Sequence, residues 1–314
     1  MAATLRVGVV GVGYLGKFHA RIYAAMPEVE LVGVVDADAD TAARIAQEYG
    51  CQAYTRAEDL LDKIDAVSIV VPTIHHLAVA RPFLEHGIHM LMEKPLAATY
   101  EDARTIVEIA ERKQVIFQVG HLERYNAGFM ALARSVKEPR FIEAHRLGTF
   151  VERATDVDVV TDLMIHDIDI VMSLVNSPIR DISAIGVPVL TEHADIANAR
   201  MEFENGAVAN VTASRVSNKK QRRIRVFGRH SYHALDFGDS QVEVAHAVPN
   251  PAGGRPDITT EQLTIEPQPP LDAELADFID CVRKNRAPLV GGRTALEALR
   301  VALLVKEKIL SCQT

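Results

Sequence analysis

The chain has 314 residues, 48% of them hydrophobic but only 5% aromatic and none tryptophan, so length and composition suit about two domains with aliphatic cores. The formal net charge of −8 argues against nucleic acid as a partner, and no apolar run reaches the ~18 residues of a membrane span. Cys51, Cys281 and Cys312 are odd in number and far apart, which fits neither a disulfide framework nor a zinc pattern; with no signal-like segment before the first strand, a cytoplasmic location follows.

In chain order, the first 120 residues alternate short aliphatic runs with helical patterns. The runs are Leu5–Val10, Val29–Val35, a weaker one at Cys51–Tyr54, Ala66–Val71, His89–Met92 and Val115–Val119. Helical segments lie between them at Gly13–Ala25, Asp40–Tyr49 (stopped by Gly50), Ile74–Glu85 and Tyr100–Arg112. Continuous Val/Ile runs separated by helices predict strands buried on both faces, hence a parallel sheet in a doubly wound α/β (Rossmann) domain over 1–122.

From Phe141 the pattern changes. One helical segment, Thr161–Val175, precedes strand-like runs at Ile182–Val189, Ala197–Phe203, Ala207–Arg215, Ile224–Gly228 and Gln241–Ala245. The Glu204-Asn205-Gly206 turn marks a hairpin, so this part reads as an α+β domain on a largely antiparallel open sheet. Residues 249–270, rich in Pro and Gly, read as a surface loop, and helices follow at Asp272–Asn285 and Thr294–Leu310. The second domain is expected to run over 123–314, with helix 294–310 placed to pack back on the first.

Gly11, Gly13 and Gly16 follow the first strand and open a helix, with Tyr14 and Leu15 between them. In that context the spacing builds a tight turn (Gly11), a close approach for a pyrophosphate (Gly13) and close helix–strand packing (Gly16), with the helix N-terminus facing the phosphates. Asp36 ends the second strand 20 residues past Gly16, where a carboxylate accepts hydrogen bonds from a ribose diol. No Arg or Lys directly follows Asp36, which favours NAD over NADP. Further on, Pro95 forces Lys94 into an extended conformation, so Glu93 and Lys94 end a strand at the edge where open parallel sheets bind ligands.

At ~100° per residue, Asp162, His166 and Asp169 share one stripe about 60° wide on a helix otherwise apolar all round, and Asp167 stands off it as a separate polar contact. Asp162, one turn from His166, can orient the ring and favour its protonated form, the arrangement of a general base. A metal site would need further His or Cys ligands at diagnostic spacing, which are missing, so no metal is expected.

The glycine loop with Lys17-Phe18-His19-Ala20, "VVPTIHH" (70–76), "EKPLA" (93–97), "GHLERYN" (120–126) and "DLMIHDID" (162–169) together resemble the Gfo/Idh/MocA oxidoreductase family, in the right order over nearly the whole chain. The sequence departs from the family's usual residues at Val71 and Thr73. The resemblance implies that Lys94 contacts the reacting hydroxyl of a sugar or cyclitol, with Asp162 and His166 completing the catalytic set. It implies that Pro72 and His76 belong to the cofactor-side loop, and that Arg124, Tyr125 and Asn126 contact substrate or cofactor, or else serve as a structural hinge. Which of Lys94 and His166 moves the proton stays open. "GHLERYN" and "DLMIHDID" are most similar to the branch that oxidises C3 of UDP-N-acetylglucosamine to a 3-keto sugar for transamination. Competing readings are a dehydrogenase of free sugars or inositol, an NAD-dependent glycosidase using transient C3 oxidation, and a non-catalytic NAD-binding regulator, against which the intact Lys94, Asp162 and His166 set argues. The basic run "NKKQRR" (218–223) reads as a solvated hairpin loop. A homodimer or homotetramer through the second domain's sheet is expected.

Overall fold

The computed structural model describes residues 4–150, 158–239, 241–250, 254–266 and 268–311, so Cys312 lies outside the described residues. In chain order, β1 (Leu5–Val10), α1 (Gly16–Ala25), β2 (Val29–Val35), α2 (Ala39–Tyr49), β3 (Gln52–Tyr54), β4 (Ala66–Ile69), α3 (His76–Glu85), β5 (His89–Glu93), α4 (Tyr100–Arg112) and β6 (Phe117–Gly120) come first. The six strands form one parallel sheet in the order β3-β2-β1-β4-β5-β6. This is the Rossmann order, in which the crevice opens between β1 and β4, where the winding reverses. The central strands are buried on both faces because crossover helices cover both, as their unbroken Val/Ile runs require. Local signals set the helix ends. Asp38 caps α2 by accepting the Asp40 N–H, Gly50 ends it in the left-handed region (φ 69°), and Thr99 caps α4 by accepting the Asp102 N–H.

There follow α5 (Ala127–Ser135), β7 (Phe141–Leu147), α6 (Ile165–Val175), β8 (Ile179–Val187), β9 (Ile196–Phe203), β10 (Val208–Ser214), β11 (Gln221–Phe227), β12 (Ser231–Asp236), β13 (Gln241–Val248), β14 (Asp257–Leu263), α7 (Pro270–Lys284) and α8 (Gly292–Ser311). The eight strands form a second sheet, β14-β13-β12-β11-β7-β10-β9-β8, antiparallel throughout except for the parallel β10–β7 pair. Gly206, at φ 81°, turns the hairpin between β9 and β10.

Two expectations about the second sheet need correction. Residues 249–270 are not all loop, because β14 occupies Asp257–Leu263 at the sheet's edge. Six of its seven residues are exposed, so it never needed the apolar alternation by which strands are read. The basic run 218–223 is likewise not wholly loop: Gln221, Arg222 and Arg223 belong to β11.

The chain divides into two compact units, 1–122 with 269–297, and 123–268 with 298–314. The segment 269–297 therefore groups with the first unit, not with a continuous domain of 123–314. Leu275, Phe278, Ile279 and Cys281 of α7 are buried in one apolar cluster with Val7, Ile22, Tyr23 and Val34. Past α7, the Val119 N–H donates to the Val290 carbonyl at 3.0 Å and Gln118 bridges to Gly291, which occupies the outer edge of β6. Gly292 fits there because a Cβ would come within 2.8 Å of the Phe117 ring. Helix α8 begins in the first unit and ends in the second.

Candidate functional site

The first unit carries a cavity of about 980 Å³ at the carboxyl ends of its strands, a volume suited to a cofactor-sized ligand. Its wall takes Gly11, Gly13, Tyr14 and Leu15 from after β1, Asp36 from after β2, Val71 and Pro72 from after β4, Glu93 from the end of β5 and Lys94 just past it. The glycine loop fits a dinucleotide at each step. Gly11 sits at φ 86°, and a Cβ there would meet the Val70 carbonyl oxygen at 2.5 Å. A Cβ on Gly16 would fall 1.8 Å from the Gly11 oxygen, whereas Gly13 faces open space. Helix α1 starts without a side-chain cap and without an acid in its first turn, so no side chain of its own competes with an anion for the positive end of the helix.

Asp36 does two jobs with one carboxylate. Oδ2 accepts the Val12 N–H at 2.9 Å and Oδ1 accepts the Asp38 N–H at 3.1 Å. A carboxylate has about four lone-pair sites, so Asp36 braces the loop and still has acceptor capacity toward the cavity. Arg56, Ala57 and Glu58 also line the cavity. Sequence reading missed these because they follow β3, far from the glycine motif in the chain. Arg56 is paired with Glu58 at 3.9 Å.

His76 is placed otherwise than expected. The cavity is lined by its neighbour His75, while His76 is buried with Nδ1 3.2 Å from the Leu96 carbonyl and Nε2 3.0 Å from the Val71 carbonyl. A neutral ring donates from one nitrogen only, and burial lowers its pKa against the pull of those carbonyls. His76 thus ties the loop after β4 to the segment after β5. Glu93, at the cavity wall, accepts the Lys94 N–H with Oε2 at 3.2 Å, and its Oε1 lies 3.4 Å from His19 Nε2.

In the second unit the segment around Asp162 is not one regular α-helix. Val160–Met164 form a π turn, and only from Ile165 does α6 run as an α-helix. Such single π turns inside helices concentrate at functional sites. Asp158 opens the segment, accepting the Val160 and Thr161 N–H groups at 3.0 Å each and pairing with Lys306 at 2.8 Å. Asp162 and His166 are half-buried, whereas Asp167 and Asp169 are buried. Asp169 meets Arg124 Nη1 at 3.5 Å.

Asp167 stands apart from that stripe, as its position predicts. Arg146 on β7 grips it with Nε and Nη2, at 2.8 and 3.0 Å, and donates from Nη1 to Glu123 at 2.7 Å. Burial pushes the Asp167 carboxyl up and Arg146 pulls it back. The guanidinium stays charged, since its two carboxylates outweigh its own burial. Of the "ERYN" residues, Asn126 uses its side-chain oxygen to cap α5, accepting the Phe129 N–H at 3.1 Å, and Tyr125 is buried.

Comparison with known proteins decides the family. The family described as "Oxidoreductase family, NAD-binding Rossmann fold" matches residues 5–121, and the "GFO/IDH/MocA C-terminal domain" matches 133–232. The chain belongs to the Gfo/Idh/MocA oxidoreductase family. As a member it is an NAD-dependent oxidoreductase. It is 37% identical over 303 residues to UDP-N-acetylglucosamine 3-dehydrogenase of Acidithiobacillus ferrooxidans, covering 96% of each protein. It is 32% identical to inositol 2-dehydrogenase of Corynebacterium glutamicum, over 67% of each. A solved structure of the Acidithiobacillus ferrooxidans enzyme superposes with a TM-score of 0.91 at 36% identity, covering 98% of each chain. The family's fold extends to myo-inositol 2-dehydrogenase of Lactobacillus plantarum, at a TM-score of 0.81 and 20% identity.

Proposed function

We propose that this Gfo/Idh/MocA member oxidises C3 of UDP-N-acetylglucosamine to the 3-keto sugar. The observation that carries the reading is Lys94, which directly follows β5 and lines the cavity with the glycine loop and Asp36. The relative from Acidithiobacillus ferrooxidans, similar over nearly the full length, supplies the substrate. Bound NAD supplies the hydride acceptor. Lys94 donates a hydrogen bond to the reacting oxygen and stabilises the negative charge that develops there. His166 takes the hydroxyl proton, and Asp162 orients its ring and stabilises the imidazolium. The alcohol thus loses a hydride and a proton and becomes a ketone. Arg124, held near Asp169, contacts the substrate's polar groups.

A second reading is oxidation of free inositol, favoured by the inositol dehydrogenase relatives. The test is NADH formation with UDP-sugars, free sugars and inositols, each run with and without an aminotransferase that removes the keto product. NADH with UDP-N-acetylglucosamine alone supports the proposal, NADH with inositol alone replaces it, and silence with every substrate overturns both.

Assembly as a homodimer or homotetramer belongs to the same proposal, through the open face of the eight-stranded sheet. In register that face presents Arg200, Asn210, Glu143 and Arg225 as one row, a polar and self-complementary surface. Exposed Ile185 and Val187 stand at its β8 edge. Sedimentation of the purified chain checks this. A cytoplasmic site of action completes the reading, in keeping with unpaired Cys51 and Cys281.

A further inference from the structure

Behind Glu93 the first unit buries a second carboxylate that the proposed chemistry does not use. Glu274, on α7, is fully buried, and neither oxygen has a hydrogen-bond partner among the described residues. Its helix is fixed in place: the Gln118 side chain donates to the Glu274 backbone carbonyl at 3.1 Å. Glu93 lies within electrostatic reach, as does Asp277 one turn on, and both act on Glu274 in the same sense as its burial, which drives its carboxyl far above the ordinary range. A fully buried carboxylate with no hydrogen-bond partner does not stay ionised, so Glu274 holds its proton.

Glu93 is the link to the cavity. Its side chain is only 13% exposed, and its carboxylate reaches His19 at 3.4 Å, an ion-pair distance without hydrogen-bond geometry. Gly120 on β6 makes room for it, since a Cβ there would stand 3.0 Å from the carboxyl carbon and both oxygens. The same carboxylate accepts the Lys94 N–H. The charged and titratable groups around the pair are His19 and Tyr23 on α1, His76 on α3, Lys94 at the end of β5, and Asp277 with its partner Arg286.

We infer that Glu274 is a positioning residue for Glu93: Glu274 stays neutral, so that Glu93 supplies the single negative charge beside Lys94, and losing the Glu274 proton closes the cofactor site at alkaline pH. When that proton leaves, a second negative charge is buried within electrostatic reach of Glu93. Repulsion then moves the Glu93 carboxylate off the Lys94 N–H and into the space the dinucleotide needs. The return of 269–297 to the first unit acquires a purpose here, because α7 is what delivers the proton-holding group. This inference rests on the NAD-dependent reading and not on the choice of sugar.

The test uses the full chain with Glu274→Gln, a fixed mimic of the neutral acid, and Glu274→Leu as a second neutral variant should glutamine impair folding. With no tryptophan to report binding, NAD affinity is measured by calorimetry from about pH 6 to about pH 9.5. Melting of the ligand-free protein and kcat/KM are followed over the same range. The wild type should lose about tenfold or more in NAD affinity toward the alkaline end, while the neutral variants lose less than about threefold and show a matching upward extension of the kcat/KM profile. A carboxyl whose folded-state pKa is raised weakens the fold as pH climbs above the ordinary value. The variants' melting temperature should therefore gain on the wild type with rising pH. Parallel affinity curves, or a folded Glu274→Gln protein that no longer binds NAD at neutral pH, would overturn the inference. Diverging affinity curves without NADH from any sugar would support it and overturn only the substrate assignment.

Discussion

Gly13 and Gly16 belong to one motif but answer to different constraints. A methyl group on Gly16 collides with the Gly11 backbone oxygen at 1.8 Å, so Gly16→Ala must move the loop and should destabilise the first unit by about 2–4 kcal/mol. Gly13 has nothing within 4 Å of a new Cβ. Gly13→Ala should therefore melt like the wild type yet bind NAD about tenfold or more weakly, because the methyl stands in the cavity. Thermal melting and calorimetry on the two variants separate the roles; equal losses of melting temperature would refute the assignment. Lys94 follows the same logic from the chemical side. Lys94→Ala removes the ammonium proposed to act on the reacting oxygen, so NAD affinity should change less than about fivefold while turnover falls about 10³-fold or more. Turnover near the wild-type level would remove Lys94 from the reaction.

At the scale of elements, what a sequence shows depends on whether the cause is local. The parallel strands were legible because a strand buried on both faces has to be apolar throughout, and β1 and β2 match their expected bounds residue for residue. β7 was harder to read, because Arg146 occupies a core-facing position of its alternation. The reason for an arginine there is Asp167, which lies on another element, and no local pattern announces a partner 21 residues away. The π turn at Val160–Met164 was equally hidden, since one extra residue per turn leaves composition unchanged. The Arg146–Asp167–Glu123 group makes a direct prediction. Arg146→Met leaves Asp167 buried without its cation and should cost about 3–5 kcal/mol at neutral pH. The deficit should shrink as pH falls toward the ordinary carboxyl range, because protonating Asp167 removes the stranded charge. Pairing Arg146→Met with Asp167→Leu should recover most of the loss in chemical denaturation, and a strictly additive double variant would show that the two residues are not coupled.

For the whole molecule, the order of the chain and the order of the fold differ at one place. Nothing in the sequence of 269–297 says which sheet it joins, because an amphipathic helix fits either, and chain order alone favoured the second domain. The structure puts Leu275, Phe278 and Ile279 in the first unit's core and uses Val290 to occupy the free edge of β6. Burying each of those three side chains contributes about 1.5–3 kcal/mol, together comparable with the whole stability of a small domain. Residues 1–122, which look like a complete Rossmann domain, should therefore not fold cooperatively when expressed alone. Joined to 269–297 through a flexible Gly/Ser linker, they should regain a sigmoidal melt and measurable NAD binding. Circular dichroism melting and calorimetry of the two fragments check this. A 1–122 fragment that melts sharply and binds NAD with the affinity of the full chain would show that α7 is dispensable to the fold it covers.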